Sequence, residues 1–253
     1  MKIESPWIES FIVGDLEMRC SVITDLATGD TIIIDGGSEP ERIISWIENF
    51  EGIGPNWSNG PISTEEMSKF DFDKREVIAL VNTHAHYDHS GHIPDFLEQY
   101  PVSWYLHKDD FFLQTLAKKS AARRGILVPE PAVADKELFD EQLLSLGSIE
   151  LKIFHTPGHS LGSCSLLLEV NQQPDHIFVG DVLFAGSVGR TDIPNSGGDF
   201  KVLSHSVKSK LWPLDSETIV HPGHGPMTTI GIEKTTNPFV GLPSEYDRRF
   251  IVD

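Results

Sequence analysis

Short apolar runs rich in β-branched residues alternate along this chain with segments whose apolar positions recur at helical spacing, and Gly- or Pro-containing turns separate them. The first rhythm fits buried strands and the second amphipathic helices, so the pattern predicts an α/β fold. Residues 20–24 and 31–34 read as a strand pair joined by the turn Ala27-Thr28-Gly29-Asp30. Ser38 is placed to cap a helix carrying Ile43, Ile44 and Ile47. Residues 77–81 predict a strand, 93–100 a helix, 102–106 a strand and 108–124 a longer helix ended by Gly125. Strands at 149–154, 163–170 and 177–179, a helix over 200–212, a strand over 218–220 and a helix over 230–236 complete the series. Between residues 51 and 75 the periodicity disappears. That stretch predicts a long loop, a candidate lid or dimer contact through Trp57 and Ile62. Strands and helices interleave too closely for an internal boundary, so one domain is expected over residues 1–253.

Composition narrows the function. An apolar content of 39% and a charged content of 23% are ordinary for a soluble globular protein. The formal net charge of -18 would repel a phosphate backbone, which argues against nucleic-acid partners. No apolar run approaches the roughly 20 residues that span a bilayer, and the start of the chain has no secretory pattern. The expected location is cytoplasmic. Cys20 and Cys164 lie in separate apolar segments and read as free buried thiols.

The chemistry is concentrated in Thr83-His84-Ala85-His86-Tyr87-Asp88-His89, which places three imidazoles and a carboxylate in six residues just beyond an apolar strand. Imidazole and carboxylate are ligands of zinc and its first-row neighbours. Further candidates sit where other strands give way to Gly-containing turns: His159 in Pro157-Gly158-His159, Asp181 after Gly180, and His224 in His221-Pro222-Gly223-His224-Gly225. Strand ends along one sheet edge are close in space, so ligands distant in sequence can converge there. His155 and His221, which each precede a candidate-ligand turn, read as structural residues or as supports for a ligand, and His92, His107, His176 and His205 as surface or helix-face residues. Asp35 is placed either to orient a ligand imidazole or to cap its own turn. Arg190 and Asp192 are expected to pair and brace the loop after Asp181.

The ordered set THxHxDH, PGH, GD and PGHG, together with Gly180-Asp181-Val182-Leu183-Phe184-Ala185-Gly186-Ser187-Val188-Gly189-Arg190-Thr191-Asp192, resembles the metallo-β-lactamase superfamily and, within it, the glyoxalase II-like branch. The resemblance implies an αββα sandwich, two mixed β-sheets flanked by helices, with a metal site at one sheet edge. It implies that His84, His86 and His159 hold one divalent ion, that Asp88, His89 and His224 hold a second, and that Asp181 bridges them. Zinc is the first expectation, with iron or manganese, or a single ion, as alternatives. Water between two such ions ionises near neutral pH, and Asp88 would orient the resulting hydroxide.

The implied reaction is hydrolysis of a small-molecule thioester such as S-lactoylglutathione. A mononuclear iron glutathione persulfide dioxygenase using His84, His159 and Asp181 is the alternative, and a non-catalytic metal-binding module a second one. Only 29 residues follow His224, so the helical C-terminal domain that supplies part of the glutathione pocket in glyoxalase II is not expected here. The basic residues Lys118, Lys119, Arg123 and Arg124 are candidates for contacting the carboxylates of the thiol carrier, against a simpler role at a helix C-terminus. Oligomeric state is left open.

Overall fold

The computed structural model describes residue 3 and residues 6–60 and 74–242. Among these, β1 (Pro6–Val13), β2 (Met18–Asp25), β3 (Asp30–Ile34), β4 (Trp57–Ser58), β5 (Glu76–Val81), β6 (Ser103–His107) and β7 (Lys136–Leu138) form one sheet in the order β4-β1-β2-β3-β5-β6-β7. A second sheet has the order β13-β12-β11-β10-β9-β8. Its strands are β8 (Leu143–Leu146), β9 (Ile149–His155), β10 (Cys164–Leu168), β11 (His176–Gly180), β12 (Ile219–Pro222) and β13 (Thr228–Thr229). Both sheets are mixed: β3, β5, β6 and β7 run parallel, as do β11 and β12, while the remaining neighbours are antiparallel.

The two-residue period of a strand sorts its side chains into layers. In β3, Ile32 and Ile34 point between the sheets and meet Leu151, Ile153 and Leu166 of the facing sheet. Ile33, between them in sequence, joins Ile43 and Ile47 of the helix α1 (Pro40–Asn49) on the other side. On the outer face of the second sheet Ile177 and Val179 of β11 pack with Leu203 of α5 (Phe200–Ser206) and Ile230 of α6 (Ile230–Thr236). The layers are therefore helix, sheet, sheet, helix, the sandwich that the sequence motifs imply. Each fully buried aliphatic side chain contributes roughly 1.5–3 kcal/mol, so a strand apolar on both faces belongs in the middle of the stack. Among the described residues no helix is long and apolar enough to cross a membrane.

The expected β2–β3 hairpin forms, with Ser21 opposite Ile34 and Thr24 opposite Thr31. Ser38 does not cap α1. Glu39 occupies the N-cap position in a left-handed conformation without a side-chain cap, and Pro40 opens the helix. The helix expected over 108–124 is a 3-10 turn at Lys108–Asp110 followed by α4 (Phe111–Ala122), so Arg123 and Arg124 lie just past its end. Strands β1, β7 and β8 add to the expected set. β1 carries Glu9 in mid-strand, where a charge argues against burial, yet Glu9 is fully buried. It pairs with Arg75 and accepts a hydrogen bond from Trp46 Nε1 at 2.6 Å, so its partners come from distant parts of the chain. Within the expected 51–75 loop, Trp57–Ser58 pairs with β1. Residues 61–73, including Ile62, lie outside the described residues.

His107 and His176 are not surface residues: both are in strands and at least nine-tenths buried. His176 Nδ1 lies 2.9 Å from His221 Nε2, and His221 stacks on Phe178. Burial lowers the His176 pKa to about 4 and holds His221 well below its usual value. In the unfolded chain a histidine titrates near 6.5, so from there down to about pH 4 the unfolded state binds the extra proton and stability falls as pH falls. For His176 the whole effect is of the order of 3 kcal/mol. Urea denaturation at pH 6.5 and pH 4 should show a smaller acid loss in His176→Gln than in the unsubstituted protein; equal losses would remove this pair as a source of acid sensitivity.

Candidate metal centre

Each candidate side chain follows the C-terminal end of a strand. β3 leads to Asp35 and β5 to the stretch containing His84, while β9, β11 and β12 lead to His159, Asp181 and His224. Because β3 and β5 are parallel neighbours, and β9, β11 and β12 also share one direction, these ends gather at a single edge of the sandwich. The helical turn after the strand, α2 (Tyr87–Ser90), carries Asp88 and His89, and α3 (Ile93–Gln99) follows it.

All seven candidates converge. Nitrogen atoms of His84, His86 and His159 form one group, His84, His89 and Asp181 a second, and Asp88, His89 and His224 a third, with the ligand atoms of each group within 4.8 Å of one another. His159 Nε2 lies 3.2 Å from His84 Nε2, 2.8 Å from His86 Nδ1 and 3.5 Å from Asp181 Oδ2. On the other side of Asp181, Oδ1 is 3.3 Å from His89 Nε2 and 3.5 Å from His224 Nε2, which is itself 3.3 Å from Asp88 Oδ2. Asp181 thus stands between two groups of imidazoles.

The far nitrogens explain why these near contacts need a cation. His159 Nδ1 donates to the Arg190 carbonyl at 2.7 Å, His224 Nδ1 to the Leu16 carbonyl at 2.8 Å, and His89 Nδ1 to Asp35 Oδ2 at 2.9 Å. His84 Nδ1 donates to Thr83 Oγ1 at 3.2 Å, whose own proton goes to Asp35 Oδ2 at 2.7 Å. With the proton on the far nitrogen, each neutral ring presents a lone pair to the centre. Lone pairs facing one another and two carboxylates repel unless a positive ion lies among them. His89 Nε2 and Asp181 Oδ1 are also buried with no hydrogen-bond partner among the described residues. The donor set and these two orphaned atoms fit divalent cations.

Electrostatics agrees. Burial and neighbouring imidazoles hold His84 well below the usual histidine range, and burial lowers His86 to about 3, so both rings are neutral and able to ligate. Burial alone would lower His89, but Asp181, Asp35 and Asp88 together raise it well above the usual range. The negative potential that would hold a proton there also attracts a metal ion.

Asp35 orients; it does not cap its own turn. It is 2% exposed, adopts the left-handed region at φ 58°, and its Oδ1 accepts the Thr83 N–H at 2.8 Å. Arg190 pairs with Asp192 at 2.8 and 3.1 Å as expected, and its backbone carbonyl, more than its guanidinium, serves the centre by holding His159. Arg123 and Arg124 are exposed, and Lys118 pairs with Glu130. None of them reaches the centre, although the Arg124 charge bears on the Tyr87 phenol beside it. His155 stacks on His107 with ring centroids 4.0 Å apart and bonds the Leu161 carbonyl, supporting the turn to His159.

Three residues with structural roles here escaped the sequence pattern. Arg19 of β2 reaches across to the other sheet, donating through Nε to the Pro222 carbonyl at 3.0 Å and through a terminal nitrogen to the Gly225 carbonyl at 2.7 Å, which fixes the turn bearing His224. A lone charge in the apolar run around Cys20 was its only signal. Asp110 accepts from the Ala85 N–H, the Ser160 hydroxyl and the Gly162 N–H at 3.1, 2.8 and 2.6 Å, tying the His84–His86 segment to the His159 turn. Asn82 Nδ2 donates to the His89 carbonyl at 2.8 Å. Gly223 shows how closely the backbone must approach: a Cβ there would lie 2.3 Å from Asp181 Oδ1 and 2.7 Å from His89 Cε1.

Such a centre, at the strand ends of an αββα sandwich, defines a class of metal-binding proteins. Residues 18–224 match the family described as the Metallo-beta-lactamase superfamily, and the chain belongs to it. It is 32% identical to hydroxyacylglutathione hydrolase GloC of Haemophilus influenzae, over 94% of this chain and 99% of that protein. A crystal structure of BLEG-1 B3 metallo-beta-lactamase is 31% identical with a TM-score of 0.74, covering 92% of this chain and 99% of the other. A crystal structure of TTHA1623 in a di-iron-bound form is 32% identical with a TM-score of 0.70, covering 91% and 98%.

Asp35→Asn keeps the side-chain shape but removes the charge that orients two imidazoles. It should weaken divalent-ion affinity roughly 10–100-fold, measured by competition with a chromophoric chelator. An unchanged affinity in a folded variant would show that His84 and His89 do not depend on that carboxylate.

Proposed function

We propose that this chain hydrolyses a thioester, S-lactoylglutathione or a related hydroxyacyl thioester, at a two-ion centre. The single observation carrying the two-ion reading is Asp181 standing between two groups of imidazoles whose far nitrogens are occupied as donors. The di-iron form of TTHA1623, a protein similar over nearly the whole chain, supports it. The thioester reading rests on similarity to GloC, again over nearly the whole chain. His84, His86 and His159 would hold one ion, Asp88, His89 and His224 the other, and Asp181 both. Zinc is the metal we propose, with iron or manganese suited to the same ligands. Divalent ions held there supply Lewis acidity, which polarises an acyl carbonyl and brings the pKa of water into the neutral range.

The chain's own residues supply geometry. Asp35, through Thr83 and directly, holds His84 and His89 in the ligating tautomer, and the carbonyls of Arg190 and Leu16 do the same for His159 and His224. Asp88 lies both against His224 and in the wall of the adjoining cavity, so its carboxylate can orient the attacking water toward an acyl carbon entering from that side. In the overall reaction the water oxygen bonds to the acyl carbon, the carbon–sulfur bond breaks, and the thiolate leaves without needing a strong acid. The products are a carboxylate and a free thiol. We further propose that Arg123 and Arg124, both exposed, with the Arg124 charge bearing on Tyr87, meet carboxylates of the thiol carrier.

Purified, metal-loaded protein should release thiol from S-D-lactoylglutathione, and His159→Ala should reduce release to the uncatalysed rate. If neither protein releases thiol, the hydrolase reading fails and oxidation of glutathione persulfide becomes the reaction to assay. Replacing Arg123 and Arg124 together by Ala should raise KM for an anionic thioester about two- to fivefold, the scale of exposed charge contacts. An unchanged KM would leave these arginines as solvated charges at a helix end.

A further inference from the structure

The turn Phe184-Ala185-Gly186-Ser187 begins three residues after Asp181 and closes on itself. The Phe184 N–H donates to the Ser187 carbonyl at 3.0 Å, and the Ser187 N–H to the Phe184 carbonyl at 3.2 Å. Its tip stands in open space: a Cβ on Gly186 would meet nothing beyond its chain neighbours within 4 Å. Packing therefore does not hold the tip, and two side chains of the closing helix do. Glu233 Oε2 accepts the Gly186 N–H at 2.9 Å, while Asn237 Nδ2 donates to the Ser187 carbonyl at 2.9 Å and to Glu233 Oε2 at 2.8 Å. Glu233 lies within α6 and Asn237 just past its end, four residues on, so the two share a face.

Glu233 is 1% exposed, and its partners among the described residues are neutral donors: the Gly186 N–H, the Asn237 amide and the Thr228 hydroxyl, the last at 2.7 Å from Oε1. Burying a carboxylate without a cation is costly, and an apolar side chain would pack the helix without that cost. What the carboxylate adds is direction, since it fixes where the turn stands.

The turn in its place touches the centre. Phe184 is half-buried, and its ring meets the His224 imidazole in a T-shaped contact, with centroids 6.0 Å apart and planes at 88°. The His224 side chain is 22% exposed, against 0% for His89 and 1% for His159, so fewer atoms pack around it. The Leu16 carbonyl holds its far nitrogen. A single hydrogen bond lets a ring swing about it, and an aromatic neighbour restricts that swing. Asp181 has a separate anchor, because Val182 and Leu183, between it and the turn, are fully buried.

We propose that Glu233 and Asn237 are positioning residues for the metal centre: they hold Phe184 against His224 and so set the affinity for the ion of Asp88, His89 and His224, while the ion of His84, His86 and His159 does not depend on them. This inference rests on the two-ion reading.

Zinc titration of metal-free protein, in competition with a chromophoric chelator, should show two binding steps, and His224→Ala should reveal which step belongs to its ion. Phe184→Leu keeps an apolar side chain and removes the ring. It should weaken the His224 step about two- to tenfold, the scale of one aromatic pair, and leave the other within about twofold. Glu233→Gln and Asn237→Ser, with Phe184 intact, should weaken the same step, and circular dichroism should show each variant folded. An unchanged His224 step in folded Phe184→Leu overturns the inference, as does equal weakening of both steps, or a full His224 step in both folded helix variants. If the unsubstituted protein takes up one ion alone, the two-ion reading itself fails and this assignment falls with it.

Discussion

The Asp35 carboxylate is the constraint on which the centre depends. It accepts the Thr83 N–H and hydroxyl and the His89 ring N–H, three donors from one segment of chain. Its own residue takes a left-handed backbone that an aspartate tolerates better than most residues do. That turn lets a carboxylate from the end of β3 lie beneath the loop after β5, its parallel neighbour. One buried anion thereby sets the tautomer of two imidazoles, and its charge adds to that of Asp88 and Asp181 in favouring a cation at His89.

A centre assembled from two sheets must also keep those sheets in fixed relation. The apolar layer between them does most of this, but it is non-directional and would tolerate small slides. Directional bonds at the site edge prevent them. The Cys164 N–H donates to the Thr83 carbonyl at 2.8 Å, and the Arg19 N–H to the Gly223 carbonyl at 2.7 Å, each bond running from one sheet to the other. Arg19 adds two guanidinium bonds to the same turn, and burial lowers its pKa only to about 10, so it remains charged. Asp110 adds a third tie, between the His84–His86 segment and the turn of His159. The ligand atoms are held by backbone carbonyls and buried charges that have little freedom to relax, which is what preorganisation requires.

The cavity beside Asp88 follows from the same geometry. The turn Gly14-Asp15-Leu16 lies on one side of it and the Tyr87 helix on the other, and Leu16 also holds His224 through its carbonyl. The residue that holds the His224 imidazole and the residues that line the cavity are thus neighbours on one short turn. A change in that turn would alter both at once.

All seven ligand candidates were legible in the sequence because four are packed into six residues just beyond an apolar run and three stand in or beside glycine-containing turns at the ends of others. The buried strands β3, β5, β10 and β11 were legible for a similar reason, since apolar runs of that length have few alternatives. What local pattern could not show was anything whose meaning depends on a distant partner. The strand β1 was not expected, and its mid-strand Glu9 is buried because Arg75 and Trp46, distant in sequence, supply its contacts. His176 looked like a surface residue until its pairing with His221 placed it in the interior. Asp35 had two open roles, and only the approach of Thr83 and His89 chose between them. Local sequence determined which residues could ligate a metal and where strands would end, because those depend on side-chain chemistry and backbone propensity. Tertiary structure decided which polar groups could be buried, because that depends on whether a partner arrives from elsewhere in the chain.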